Sequence, residues 1–274
     1  MRSTPAGSAL SRRRVFGLAF VDASGPAEVA EALLAERPHV RAPGMLPVLV
    51  TPNVDHLVRL DRRVDPDAAA VVDSARFVLP DGQPVVWASR LLGRPLRARL
   101  AGSEVVAELW PRLIAAGVPV AVIASDEALA AALRAQHPAV VAIVAPWIDR
   151  RDPEAFGRFA DECVTAATGS ELVFVTIGFP QSERLIGELV RRWPADVPVP
   201  LCCAVGSSFA VLLGQRRRVP RWAARAGLEW AVRLVDEPRR LAGRYARDAV
   251  LFPTLVWRER RSARLAGTRR PALG

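Results

Sequence analysis

Val78-Leu79-Pro80-Asp81-Gly82-Gln83-Pro84 is the stretch whose reading decides the fold. Phe77, Val78 and Leu79 close an apolar run, and Pro80 and Gly82 then bracket a single carboxylate. The run reads as the end of a buried strand and the bracket as a stiff turn. Asp81 then stands just beyond the C-terminal end of its strand. In an open α/β sheet that edge is where ligands bind, and a carboxylate held there can take a proton from a substrate hydroxyl. Pro-Asp-Gly is also ordinary turn chemistry, so the assignment depends on the rest of the chain.

Outward from this stretch, apolar strands alternate with helical segments. Residues 15–21 read as a first strand, followed by a helix that Ser24 can cap and that turns Val29, Leu33 and Leu34 inward. A strand over 47–50 ends at Thr51-Pro52-Asn53, where a second helix begins, and 71–79 leads into the Asp81 turn. Beyond it the pattern predicts helices over 85–92 and 104–116, the latter capped by Ser103. Strands over 118–124, 140–144, 171–178 and 199–205 alternate with helices over 126–136, 153–167 and the stretch ending at Trp193. Strands separated by helices of about 10–15 residues imply βαβ crossovers and a mainly parallel sheet flanked by helices, an α/β fold. From about Gln215 the pattern changes to Arg-rich helices without a strand. The chain is therefore divided into a disordered basic tail (1–14), an α/β body (15–214) and a basic helical appendage (215–274).

Composition narrows the function classes. The chain has 274 residues, 51% apolar and 24% charged, which suits a folded protein with a substantial core. Its formal charge of +10 is carried by Arg alone, with no Lys, a pattern that coding bias accounts for in part. The remainder favours phosphates or an anionic membrane surface. With aromatics at only 6%, a nucleic-acid-binding reading rests on charge alone and is disfavoured. Cys163, Cys202 and Cys203 show neither disulfide nor metal-ligand spacing and read as buried apolar residues of a reducing compartment. His39, His56 and His137 are scattered and read as surface or helix residues rather than metal ligands. The apolar stretch 198–214 is short for a membrane span and contains Gly206, Ser207 and Ser208, so no spanning segment is expected.

Polar residues recur just after predicted strands: Thr51 and Asn53, Asp81, Ser125 and Asp126, Gln181 to Glu183, and Ser207 with Ser208. Strand ends that open on one cleft produce this recurrence, although strands must also end in polar turns. Neither a GxGxxG nor a GxxxxGK[ST] motif is present, which disfavours dinucleotide oxidoreductases and P-loop enzymes. In the appendage Leu228, Ala231, Val232 and Val235 recur at helical spacing before Pro238. Arg240, Arg244 and Arg247 then share one helical face, and Leu251, Phe252, Leu255, Val256 and Trp257 form an apolar patch. Guanidiniums in a stripe can grip a diphosphate, and an apolar patch edged by Arg suits an anionic membrane. A solvated basic face on a core-packed helix explains the same spacing equally well.

Taken together, Thr51-Pro52-Asn53, Pro80-Asp81-Gly82, Arg99 with Gly102, Gly178-Phe179-Pro180 with Glu183, Val219-Pro220-Arg221-Trp222 and the run from Gly227 to Leu234 followed by Glu237-Pro238 resemble the WecG/TagA/CpsF family of bacterial glycosyltransferases. The resemblance spans roughly residues 15–252. It implies a Rossmann-like body, no metal or other cofactor, and an appendage that meets the membrane and completes the active site. The implied reaction moves a sugar, of N-acetylmannosamine type or another hexose, from a UDP donor to an undecaprenyl-diphosphate-linked acceptor in cell-surface polysaccharide assembly. Carried over by position, Asp81 is the general base, and Thr51 and Asn53 line the sugar pocket. Arg99 holds phosphate or sugar oxygens, Gln181, Ser182 and Glu183 lie by the donor, and Arg233, Arg240 and Arg244 face a diphosphate.

The resemblance places the protein in the cytoplasm, on the inner face of the plasma membrane, and leaves room for a homo-oligomer. Four departures fall at the donor side: Ser182 in place of a Gln, Ala210 in place of a carboxylate, Ala124-Ser125 in place of Gly-Gly, and Pro146-Trp147-Ile148-Asp149 in place of an aromatic Gly-containing turn. An altered pocket implies either a changed donor or a catalytically silent relative that binds a lipid-linked sugar or a partner enzyme.

Overall fold

The computed structural model describes residues 10–35, 44–137, 139–148, 152–220, 222–223 and 226–268, with side chains to 262. Eight strands form one sheet in the order β1-β2-β4-β3-β8-β7-β5-β6. They are β1 (Arg12–Val15), β2 (Leu18–Val21), β3 (Leu46–Val50), β4 (Ala75–Val78), β5 (Val120–Ala124), β6 (Val141–Val144), β7 (Leu172–Val175) and β8 (Leu201–Ala204). All neighbours run parallel except the β1–β2 hairpin at one edge. The α/β architecture with a mainly parallel sheet is therefore as the strand–helix alternation implies.

Two apolar layers enclose the sheet. On one face Leu57 of α2 (Val54–Asp61), Val71 and Val72 of α3 (Pro66–Ser74), Val85 of α4 (Gln83–Leu91), Cys163 of α7 (Pro153–Ala167) and Ile186 of α8 (Gln181–Arg192) pack on the strands. On the other lie Val29 of α1 (Pro26–Ala35), Leu109 of α5 (Gly102–Ala115), Leu133 of α6 (Glu127–Gln136) and Phe209 of α9 (Ser208–Leu212). Trp110, Phe174 and Phe209 meet edge to face at centroid distances of 4.8–6.2 Å. The three cysteines are free and buried. The neighbouring strands β3 and β8 send their following helices, α2 and α9, to opposite faces, which opens a crevice at their C-terminal ends.

Further along the described chain lie the helices α10 (Glu229–Asp236) and α11 (Pro238–Thr268). α11 crosses back over α2: Leu255 is buried in the core and Phe252 packs on Phe16 at 5.9 Å. The apolar patch read at 251–257 is thus partly consumed by docking, while Trp257 stays exposed. The stripe before Pro238 is not a core face either, because α10 has no buried residue and Val235 is 81% exposed.

Some local expectations are corrected. Arg12, Arg13 and Arg14 belong to the edge strand β1 rather than to a disordered tail, and the 15–21 strand is broken by a turn at Phe16 and Gly17. Residues 71–79 divide into the end of α3 and β4. Helix α5 starts at Gly102 with Ala101 at its N-cap, so Ser103 is inside the helix. Ser24 precedes α1 and donates through both its amide and its hydroxyl to Glu28. His39, Asp149 and Arg221 lie outside the described residues.

Candidate active site

Five strand ends converge on one cleft of about 1230 Å³. Thr51 and Asn53 enter it after β3, Asp81 after β4, Ser125 and Asp126 after β5, Thr176 to Phe179 after β7, and Gly206 to Ser208 after β8. α10 and α11 form the opposite wall with Arg233, Arg240, Arg244 and Arg247.

The Asp81 turn is pinned by backbone. The amide of Leu79 donates to Val50 O (2.9 Å), that of Asp81 to Pro52 O (3.2 Å), and that of Leu100 to Pro80 O (2.9 Å). Gly82 has φ +125°, a conformation that side-chain-bearing residues rarely adopt. Beside it Thr51 is buried, and its Oγ1 donates to Ala204 O at 3.3 Å. Gly102 lies so close that a Cβ there would stand 3.1 Å from Thr51 Cγ2 and 3.2 Å from Ser208 Oγ, which accounts for glycine at the first position of α5. Asn53 reaches the cleft, but its Oδ1 also accepts from the amide of His56 (3.3 Å) and so caps α2.

Charge is concentrated around Asp81. Arg99, only 12% exposed, places Nη1 4.0 Å from Asp81 Oδ1 and 3.3 Å from Glu229 Oε2, and its Nη2 bonds Glu104. Arg233 bonds Glu229 in turn. Burial raises the Asp81 carboxyl to about 7, and Glu229 pushes the same way against the opposing pull of Arg99 and Arg233. Glu183, 3% exposed in the first turn of α8, is likewise pushed up to about 7 by burial, although Ser182 Oγ donates to it at 2.6 Å. His56 is stacked on Phe179 at 4.6 Å, and burial lowers its imidazole to about 4, so it is neutral at physiological pH. It lies in α2, in keeping with the helix reading, and lines the cleft wall.

Along α11, Arg240 bonds Glu237, Arg247 bonds Asp55 and Asp248, and Arg244 donates to Tyr245 Oη at 3.3 Å. Arg244 Nε is buried with no hydrogen-bond partner. Among the described residues, no group of three or more His, Cys, Asp or Glu side chains is gathered to hold a metal. Nor is any described helix long and apolar enough to cross a membrane.

Residues 13–266 match the model of the glycosyl transferase WecG/TagA/CpsF family. The chain belongs to this family of glycosyltransferases. Two curated relatives, from Bacillus spizizenii and Bacillus subtilis, are N-acetylglucosaminyldiphosphoundecaprenol N-acetyl-beta-D-mannosaminyltransferases. The first is 31% identical over 199 residues, covering 70% of this chain and 72% of the relative. The second is 30% identical over 187 residues, covering 64% and 67%.

Within the main cleft the structure brings together Thr51, Asn53, Asp81, Arg99, Ser182, Glu183, Arg233, Arg240 and Arg244. Gln181 is set apart from its neighbours in sequence. It lines an adjoining pocket of about 380 Å³ with Trp147, Phe156 and Arg184, and Ser125, Ile177 and Gly178 lie between the two spaces. Trp147 is 90% exposed there. Arg247, the third member of the guanidinium stripe, also lines the main cleft, as do Glu104, Glu229 and His56, which were not among the residues expected to act. Glu229 stood in the Gly227 run as a motif residue only, and nothing local marks it as a partner of Arg99.

Proposed function

We propose that this glycosyltransferase moves a sugar from a UDP-sugar to an undecaprenyl-diphosphate-linked acceptor, with Asp81 as general base. The observation that carries the reading is a carboxylate raised to about 7 at the edge of a parallel sheet, facing the Arg-rich wall of α10 and α11. A base works best when its pKa lies near the working pH. The acceptor hydroxyl oxygen bonds to the anomeric carbon, Asp81 takes the hydroxyl proton, and the anomeric bond to UDP breaks with its electron pair leaving on the diphosphate. Arg233, Arg240 and Arg244 supply positive charge for diphosphate oxygens, and the buried Nε of Arg244 is a donor awaiting an acceptor. Thr51 and Asn53 bound the sugar beside the base, and Ser182 and Glu183 line the donor side.

The acceptor is a lipid, and the exposed apolar residues fit its location. Trp222, Leu228, Trp230, Val235, Val250 and Trp257 are exposed on an Arg-rich segment, as on a surface that rests in an anionic headgroup layer. This exposure supports a reading in which the enzyme is peripheral to the inner face of the plasma membrane. Incubation with UDP-sugars and a polyprenyl-diphosphate-sugar should release UDP. Asp81→Asn should slow that release about 10²–10⁴-fold while the protein stays folded by circular dichroism. Release at the parent rate would remove Asp81 from the base role, and no release from any donor by the parent would favour a silent binding protein.

A further inference from the structure

We propose that Glu229 is a positioning residue for the base: it holds Arg99 and Arg233 on its own carboxylate and so keeps Asp81 open to an acceptor hydroxyl only while α10 is docked. The inference rests on the base role given to Asp81 above. Its geometric footing is the unequal sharing of Arg99. That guanidinium is within hydrogen-bond reach of Glu104 and of Glu229 (3.3 Å), yet stands 4.0 Å from Asp81, beyond hydrogen-bond length. Arg99 and Glu229 are 130 residues apart, so the body and the appendage meet at this contact.

The charged groups facing Asp81 are Arg99 from the loop before α5, Glu104 from α5, and Glu229 and Arg233 from α10; Tyr245 of α11 also acts on Arg233. Two guanidiniums relaxing onto Asp81 would occupy its lone pairs and hold it as a weak base. Glu229 opposes both effects, because it bonds the two cations and places a second negative charge beside Asp81. When α10 lifts away, Glu229 and Arg233 leave together while Arg99 stays with the body, and Asp81 becomes its nearest free anion besides Glu104.

The test is a carboxyl ¹³C titration of Asp-labelled protein, with the Asp81 signal identified by its loss in Asp81→Asn. The parent should titrate near 7, and Glu229→Gln should move the midpoint down by at least about one pH unit. Glu229→Asp, which keeps the charge, should stay near the parent. Hydrogen exchange along α11 reports docking in the same samples. A lowered midpoint with α11 still protected supports the proposal. An unchanged midpoint overturns it, and so does a lowered midpoint with α11 deprotected, since Glu229 would then serve docking alone. In transfer assays the acid limb of the pH–rate profile should move down with the midpoint, and the plateau should fall about tenfold. The titration needs no donor, so a failure to find UDP release would fault the proposed reaction and leave this inference readable.

Discussion

The α/β body and the C-terminal helices are held together in different ways. In the body, β7 and β8 are buried along their whole length, and Phe174 sits within an aromatic cluster between sheet and helices. The appendage contributes few buried apolar residues, chiefly Leu241 and Leu255. It is joined to the body by ion pairs: Arg99–Glu229, Arg247–Asp55, Arg258–Asp61 and Glu259–Arg94. Apolar burial is not weakened by ionic screening and is lost only on unfolding, whereas partly exposed ion pairs are weak, screened and separable. On the proposed reading, the body holds Asp81 rigidly, and the wall formed by α10 and α11 is the separable part of the site.

The largest effect expected from this division is on turnover. Deleting the chain after Asp248 removes Phe252, Leu255, Arg258 and Glu259, which anchor α11. Transfer should fall at least roughly 10²-fold, the cost of a misplaced catalytic wall. Sedimentation with anionic liposomes should also be lost, while the body melts cooperatively as before. Binding to liposomes at the parent level would break the link between appendage and membrane.

Core truncations sharpen the same contrast. Phe174→Ala should cost about 3–5 kcal/mol of global stability in denaturant titration. Leu255→Ala removes a contact at the edge of the core and should cost about 2–3 kcal/mol, seen as faster hydrogen exchange in α11 with little change in the main transition. Equal losses in the global transition would show that body and appendage unfold as one unit.

The pH dependence of stability should belong to the body. Glu183 has a folded-state pKa of about 7 against 4.5 unfolded, so the folded state binds the extra proton between those values. The stability contributed by Glu183 is then largest below about pH 4.5, falls as pH rises toward 7, and is flat above, a loss of about 3 kcal/mol at most. Asp81 adds a slope of the same sign over a similar window. Glu183→Gln should flatten part of the decline in melting temperature, and an unchanged slope would show that Glu183 is ionised in the folded protein.

The body was legible in sequence because fully buried parallel strands are near-continuous apolar runs bounded by turns. Asp81 was legible for the related reason that a strand end and a Pro-Gly turn fix its place. Strand β1 was not, since an edge strand that buries only Val15 is made by backbone pairing and leaves three arginines looking like a tail. α3 does carry a local signal in the sequence: Asp65 caps the amide of Ala68 and Pro66 occupies the first turn. Glu229 and His56 could not be assigned locally. Their contacts arise from approach to Arg99 and Phe179, residues far off in sequence, and apolar periodicity carries no information about such pairs.

The smallest effects expected lie in the ion pairs themselves, and they rank by burial. Asp55 is buried and is shared by Arg247 and Arg59, so Asp55→Asn should loosen α11 by about 1.5–3 kcal/mol, the worth of a hydrogen bond to a charged partner. Asp61 and Arg258 are more exposed, and Asp61→Asn should cost about 0.2–1 kcal/mol. Raising salt to about 1 M shortens the screening length to about 3 Å and should erase most of the second effect but little of the first. Hydrogen exchange along α11 at low and high salt measures both. If α11 opened equally in the two variants, burial would not be what ranks these contacts, and the apolar seat of Leu255 and Phe252 would have to carry the docking instead.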